Sequence, residues 1–571
     1  MLTGVDGRTG LPSTHDARPR RPRWATAAWA VGTAVVAVAL FTCYLRQSRT
    51  VPVGSDGASQ ALQAWDLLHG NLLLHGWWLT DVSFYTTELP QYAAIELAHG
   101  LSAGVMHVAG AMTYTLLVLT AAFLARGRAT GRAGVGRGLL AAGIMLAPQL
   151  GAGTKTLVLS PDHTGTCVPV LLVWLLIDRA PERWYVPVLV WLGLAWTAVA
   201  DAMTLFVAVI PLAGVCALQA ARGALGNRAL NRRPPSQPAL TNTAPRRRPG
   251  YELALLAAAV LAIPAELAAI ALIKAAGGWQ VHGLATSLGD AGRLAGNARL
   301  AGEGLLLLFG ADVFGAASTG SAHALAFALV HLVGVALAVA AVVAAFRRLA
   351  SRTGPADLIE SVLLAGIAVD LAGYLVDMRA VNIFSTREIA PVLPFAAVLA
   401  GRLFGGPLFG GRLCGDRPRP ALRYGLCGVL ALYAAMLGYA AAQPRVPPDY
   451  AGLAAWLPAH HLTNGLSGYQ QANIVTLESG GAVTVRAVVP TADGRITAYA
   501  WNASLRWFDP AGHAAHFLVI TAVGAPPTAG GSGLSLAQAT ATFGRPARSY
   551  RYGEFVILVW PRAENLLARL R

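Results

Sequence analysis

Uncharged runs of spanning length recur along the chain and organise its reading. The first covers Trp24 to Leu45, and others lie near 105 to 125, 138 to 157, 164 to 177, 184 to 200, 202 to 221 and 251 to 273. Four more follow near 322 to 346, 357 to 377, 389 to 405 and 424 to 443. A helix of about 20 apolar residues crosses a bilayer core, so these runs predict about eleven transmembrane helices. The first run exceeds the roughly 7–15 residues of a signal-peptide core and reads as an uncleaved span. The stretch from Trp184 to Ala221 reads as two short spans meeting at Asp201, because a carboxylate at the bilayer centre costs about 2.5–3.5 kcal/mol.

Two polar segments are long. Residues 46–104 are rich in aromatics, and the pattern over Ala58 to Leu74 predicts helices lying along a membrane surface. Beyond 444 a helical stretch, Tyr450 to Leu457, precedes alternating segments at Asn473 to Leu477, Ala482 to Val489, Ile496 to Trp501, Phe517 to Val523 and Phe555 to Trp560. These read as strands of a small soluble mixed α/β or β domain. The fold class is therefore a polytopic α-helical membrane protein with a C-terminal extracytoplasmic domain. Its parts are a basic cytoplasmic tail over 1–23, a membrane domain over 24–443 with the long first external loop, and the external domain over 444–571. Leu230 to Gly250, rich in Pro and Arg, reads as a linker, and no internal repeat is visible.

Composition sharpens this picture. The chain has 571 residues, 55% hydrophobic and only 13% charged, and a mean hydropathy of +0.52, which argues against a water-soluble globule. A formal charge of +16 would suggest nucleic acid in an ordinary composition, but here arginine placement accounts for it. With the N-terminus cytoplasmic, the clusters at Arg126 to Arg137, Arg222 to Arg248, Arg347 to Arg352 and Arg402 to Arg423 all fall on the cytoplasmic side. The predicted location is thus a bacterial plasma membrane, crossed many times, with membrane lipids as surroundings. Five cysteines without ligand-like spacing predict neither a disulfide framework nor a zinc site.

With this topology many acidic residues gather at external span ends. Asp56 follows the first span in Val53-Gly-Ser-Asp56-Gly, opening a helix that carries Asp66. The next external turn reads Ser160-Pro-Asp162-His163, Asp201 occupies the third, and Asp377, Arg379, Arg387 and Glu388 flank the fifth. Asp56 in such a setting also suits a helix cap, Asp162-His163 a turn, Asp201 a hairpin contact, and Arg387 an interfacial anchor. Glu266 and Asp370, deeper in their spans, are expected to face polar partners inside the bundle. Trp77, Trp78, Phe84 and Tyr85 read most simply as an interfacial aromatic belt.

This arrangement resembles the GT-C class of membrane glycosyltransferases, of the actinobacterial, polyprenyl-phosphate-sugar-dependent type. The resemblance covers the plan of almost the whole chain, while its motifs are short. It implies that Asp56, in the first external loop, is the catalytic or metal-binding acid, and the chemistry favours it as the group that takes the acceptor hydroxyl's proton. Asp162 and His163 match the second motif, and would hold a divalent metal, Mn or Mg, or position the acceptor. Arg387, in Ser385-Thr-Arg387-Glu-Ile-Ala-Pro391, matches the arginine that binds the lipid phosphate, with Arg379 beside it. Asp66, Glu88 and Asp201 stand as supporting carboxylates. Two departures are Gly57, where the family has a second acid, and His163, which replaces the second acid of a pair.

The implied reaction transfers a hexosyl or pentosyl group, with inversion, from a polyprenyl-phosphate sugar donor to a cell-envelope glycan, lipid or protein acceptor. In the external domain, Tyr469, Gln470 and Asn473 lie in a turn-rich polar segment suited to binding sugar. A transporter or lipid flippase, and a non-catalytic envelope assembly protein, are the alternatives. No P-loop and no GxGxxG following a strand is present, so kinase and dehydrogenase readings lack support, and no nucleic-acid partner is expected.

Overall fold

The computed structural model describes residues 23–159, 162–231, 249–282, 289–351, 357–410, 420–522 and 533–570. The N-terminal tail through residue 22, and nearly all of the Leu230 to Gly250 linker, lie outside the described residues. Among the described residues eight helices are long and apolar enough to cross a membrane: Ala27–Ser48, Gly104–Arg126, Leu205–Arg222, Gly250–Ala275, Ala322–Ser351, Leu358–Val376, Val392–Phe409 and Arg423–Ala442. Three further helices, Gly131–Met145, Asp162–Arg179 and Tyr185–Ala200, pack among them. Their shared interior holds Tyr114, Trp174, Leu194, Leu363 and Phe395.

The apolar run near 138 to 157 is not one helix. It stops at Met145, turns through Leu146 to Gly151, and resumes at Ala152 in a helical stretch that widens to π-helical winding over Lys155–Leu159. Gly151 turns the chain at φ +75°, a backbone region open to glycine and strained for other residues. Asp201 does sit where one helix ends and the next begins, and its Oδ1 accepts from Met203 N at 2.9 Å. Glu266 and Asp370 are both buried.

The ends of the bundle differ in charge. At one end Arg402 donates to Asp178 at 3.1 Å and to Asp357 at 3.0 Å, Arg128 binds the Asp178 carbonyl at 2.7 Å, and Arg348 pairs with Glu360 at 3.6 Å. At the other end the helices present Asp56, Asp162, Asp201 and Glu388.

Residues from Ala451 onward form an α/β unit around a six-stranded sheet. Its strands are β3 (Asn464–Ser467), β4 (Thr484–Pro490), β5 (Ile496–Ala498), β7 (Phe517–Thr521), β8 (Arg548–Tyr552) and β9 (Phe555–Val559), in the order β5-β4-β3-β7-β9-β8. The central strands β4, β3 and β7 run parallel, and β5, β9 and β8 add antiparallel edges. One expectation fails here: Asn473 to Leu477 is not a strand but part of the helix Tyr469–Glu478, wedged between β4 and the helix Ser55–Leu68.

A small second sheet joins three segments distant in the chain. β1 (Trp77–Leu79) of the first loop runs parallel to β2 (Gln280–Val281) and antiparallel to β6 (Ala503–Ser504). Trp77 therefore does not take the interfacial position expected of it. Trp77 is fully buried, its Nε1 donates to Asp66 Oδ2 at 2.7 Å, and its ring lies 4.7 Å from that of Trp507. The indole N–H finds a carboxylate inside the protein, and so has no need of an interfacial position.

Candidate functional site

The site lies at the acidic end of the bundle, beneath the α/β unit. Asp56 sits in the first turn of Ser55–Leu68, where the helix dipole favours an anion. Its carboxylate caps nothing. Instead Oδ1 accepts from the Tyr469 hydroxyl at 2.7 Å, and Oδ2 faces Arg387 Nη1 at 3.7 Å. Gly57, one of the two departures from the family pattern, now has a cause: a Cβ there would strike the Met106 methyl and lie 3.6 Å from the Tyr92 hydroxyl. A second acid at this position fits only if the Met106 side chain moves aside.

Arg387 and Glu388 stand on a short helical turn, Ile383–Ile389, fixed by a capping box between Asn382 and Ser385. Buried Thr386 packs against Gly304, whose missing side chain permits that approach. The turn thus delivers Arg387 Nη1 to Asp162 Oδ2 at 3.4 Å as well as to Asp56. Facing carboxylates, Asp162 first among them, hold the guanidinium charged against the cost of its burial.

His163 is clamped. Nδ1 lies 2.7 Å from Asp201 Oδ2 and Nε2 lies 3.2 Å from Glu388 Oε2. Two acceptors on one ring require both nitrogens to donate, which only the imidazolium does. Thr166 also donates to Asp201 Oδ2 at 2.5 Å. Burial opposes ionisation of Glu388, but His163, with Arg387 and Arg379, brings its carboxyl down to about 2. Glu88 behaves in the opposite way: chiefly by burial, and by facing the charges of Asp201 and Asp162, it is pushed up to about 8, although the bond from Thr87 acts against the rise. At neutral pH it holds its proton.

The structure thus brings Asp56, Asp162, His163, Asp201, Arg387 and Tyr469 into one cluster, with Glu88 behind it. Arg379 lies alongside, paired with Asp81 of the first loop and with Asp377 at 3.4 Å. Gln470 sits at the edge, where its side-chain oxygen accepts from Ser55 Oγ at 3.0 Å. Asp66 and Asn473 stand elsewhere. Asp66 bonds Trp77 and Asn71, a packing role, and Asn473 is enclosed in the α/β core at 1% exposure, so it offers nothing to a ligand at the surface.

Glu388, Thr166 and Asp81 were not singled out as site residues from the sequence. Only Glu388 carried a signal, its adjacency to Arg387. Lys155 is a further cation on this side, its ammonium 5.0 Å from the Phe384 ring centre.

A divalent cation does not fit the side chains as they stand. Asp56 and Asp162 share the Arg387 guanidinium, and His163 spends both nitrogens on carboxylates. Among the described residues no group of three or more His, Cys, Asp or Glu side chains is spaced to hold a metal ion.

Also at this end of the bundle, a cavity of about 470 Å³ opens between the 147–152 turn and the helices Ala322–Ser351 and Pro420–Ala442. Phe327, Met436 and Tyr439 line it, with His331 at its wall.

No family model matches the chain, and no curated protein matches it either.

Proposed function

We propose that this chain is an eleven-span plasma-membrane glycosyltransferase of GT-C type, moving a sugar from a polyprenyl-phosphate donor to an envelope acceptor on the outer face. The observation that carries the reading is the position of Arg387. One guanidinium nitrogen faces two carboxylates, Asp162 and Asp56, at the end of the bundle opposite the Arg402 network. That end is the outer one if the arginine-rich loops are cytoplasmic.

The chemistry follows from the groups present. Arg387 offers Nη2, which has no partner among the described residues, to the anionic phosphate, and Arg379 adds charge beside it. Asp56, half-exposed, accepts the proton of an acceptor hydroxyl. That oxygen then bonds the sugar carbon as the carbon–oxygen bond to phosphate breaks on the opposite face, and the electron pair leaves with the phosphate. Asp201 and Glu388 hold His163 as a fixed cation, which offsets part of the negative charge that an anionic donor meets. The apolar cavity near Phe327 suits part of the lipid chain.

Binding and transfer of a polyprenyl-phosphate sugar by protein in lipid nanodiscs test the proposal. Arg387→Ala should abolish binding, while Asp56→Asn should keep binding and lose transfer. Failure of every such lipid to bind the wild type would move the reading to a transporter or an assembly protein.

A further inference from the structure

The large sheet has two ends, and only one has been used so far. β3 runs from Asn464 to Ser467 and continues through Gly468 into Tyr469, so the carboxyl end of the parallel strands faces Asp56. The opposite end, at the starts of β3 and β7 and the finish of β9, carries a groove of about 800 Å³.

Its lining is strongly one-sided in charge. Arg548 and Arg562 flank it, with His460, His461 and His516, and among the described residues no Asp or Glu contributes to its wall. Among the described residues neither arginine enters an ion pair, whereas Arg379, Arg387, Arg402 and Arg569 all do. The groove also has an aromatic side. His460 stacks on Trp456 with ring centres 3.7 Å apart and 20° between planes, and Tyr550 lies 5.6 Å from the same tryptophan.

The frame is fixed by the backbone. His516 N donates to the Asn464 carbonyl at 3.0 Å, and Trp560 N donates to the His516 carbonyl at 2.9 Å. His461 is held at φ +59°, a left-handed conformation that a non-glycine residue keeps only when its surroundings impose it.

We infer that this groove binds an acidic oligosaccharide, one bearing carboxylate or phosphate groups. Paired guanidinium forks recognise such groups. Flat aromatic faces accept the apolar faces of sugar rings, and the Asn464 side chain supplies an amide for hydroxyls. A bilayer surface is the less favoured occupant, because the groove opens at the end of the sheet remote from the helical bundle. The site shares no residue with the Asp56 cluster, so either can fail while the other stands.

The test uses the full chain in detergent micelles, titrated with an oligogalacturonate, a neutral malto-oligosaccharide of equal length, inorganic phosphate, and phosphatidylglycerol vesicles. The oligogalacturonate should bind and the neutral sugar should not. Arg548→Gln with Arg562→Gln should weaken binding about tenfold or more, as expected for lost charge-assisted hydrogen bonds. Tyr550→Ala should weaken it a few-fold. Unaltered melting of these surface variants keeps a loss of binding from being a loss of folding. Equal binding of the neutral sugar, or binding indifferent to both arginines, overturns the inference. Displacement by equimolar phosphate overturns its sugar component, and arginine-dependent capture by the vesicles overturns it in favour of a lipid surface.

Discussion

The Tyr469 hydroxyl donates to the Asp56 carboxylate at 2.7 Å, joining residues 413 positions apart. Asn502 closes the same contact from β6's flank, its side chain 3.4 Å from the phenol oxygen and its carbonyl bound by Ser59 Oγ at 2.5 Å. The α/β unit therefore completes the site of the bundle. A hydrogen bond to a charged group is worth about 1.5–3 kcal/mol. Tyr469→Phe should lower the transfer rate about tenfold or more and also lower the melting temperature, because the same bond contributes to stability. Wild-type turnover by this variant would mean that the phenol does not tune Asp56.

Glu88 gives a pH dependence of stability. Its carboxyl lies at about 8 in the folded protein against an ordinary 4.5. The folded state thus binds more protons between those values, and this group's contribution to stability falls as pH rises through that window. Glu88→Gln has no such proton. The advantage of the variant over wild type in melting temperature should therefore grow from pH 5 to pH 8. A difference that stays constant across the range would remove Glu88 as a cause. Glu388, held at about 2, loses its stabilising charge only in strong acid and does not confuse the measurement.

Gly57→Asp would place the second acid that the family pattern carries. Gly57 is buried under Met106, and an unpaired carboxylate there also meets Asp56 next to it. Destabilisation by about 1–3 kcal/mol is expected, read as a lower melting temperature in detergent. A variant as stable as wild type would show that the pocket relaxes freely around position 57.

Arg402 tests the opposite end. It is 7% exposed and bridges Asp178 and Asp357, with Nη1 on the Leu124 carbonyl at 3.0 Å. Arg402→Met leaves Asp178 buried and unpaired, a change that costs about 3–5 kcal/mol in such networks. Donor binding at the Asp56 end should survive in whatever protein remains folded. Loss of binding without loss of stability would contradict a purely structural role.

The amino-acid sequence by itself determined what depends on local averages. Apolar runs mark helices because transfer from water is roughly additive over a window of residues. Partial alternation marks β4, while β7 and β9 are marked by short continuous apolar runs, as strands covered on both faces are. It also placed Asp56, Asp162, Asp201 and Arg387 at helix ends.

Tertiary structure decided the rest. The helix Tyr469–Glu478 escaped detection because Gln471 through Leu477 are all buried, against β4 on one side and Ser55–Leu68 on another, so no amphipathic period survives. Trp77 left the expected belt because Asp66 satisfies its N–H. That Asp56 meets Tyr469, and that His163 lies between Asp201 and Glu388, depends on helices and loops closing over long stretches of chain. Such contacts are set by packing among distant elements, and leave no periodic trace along the sequence.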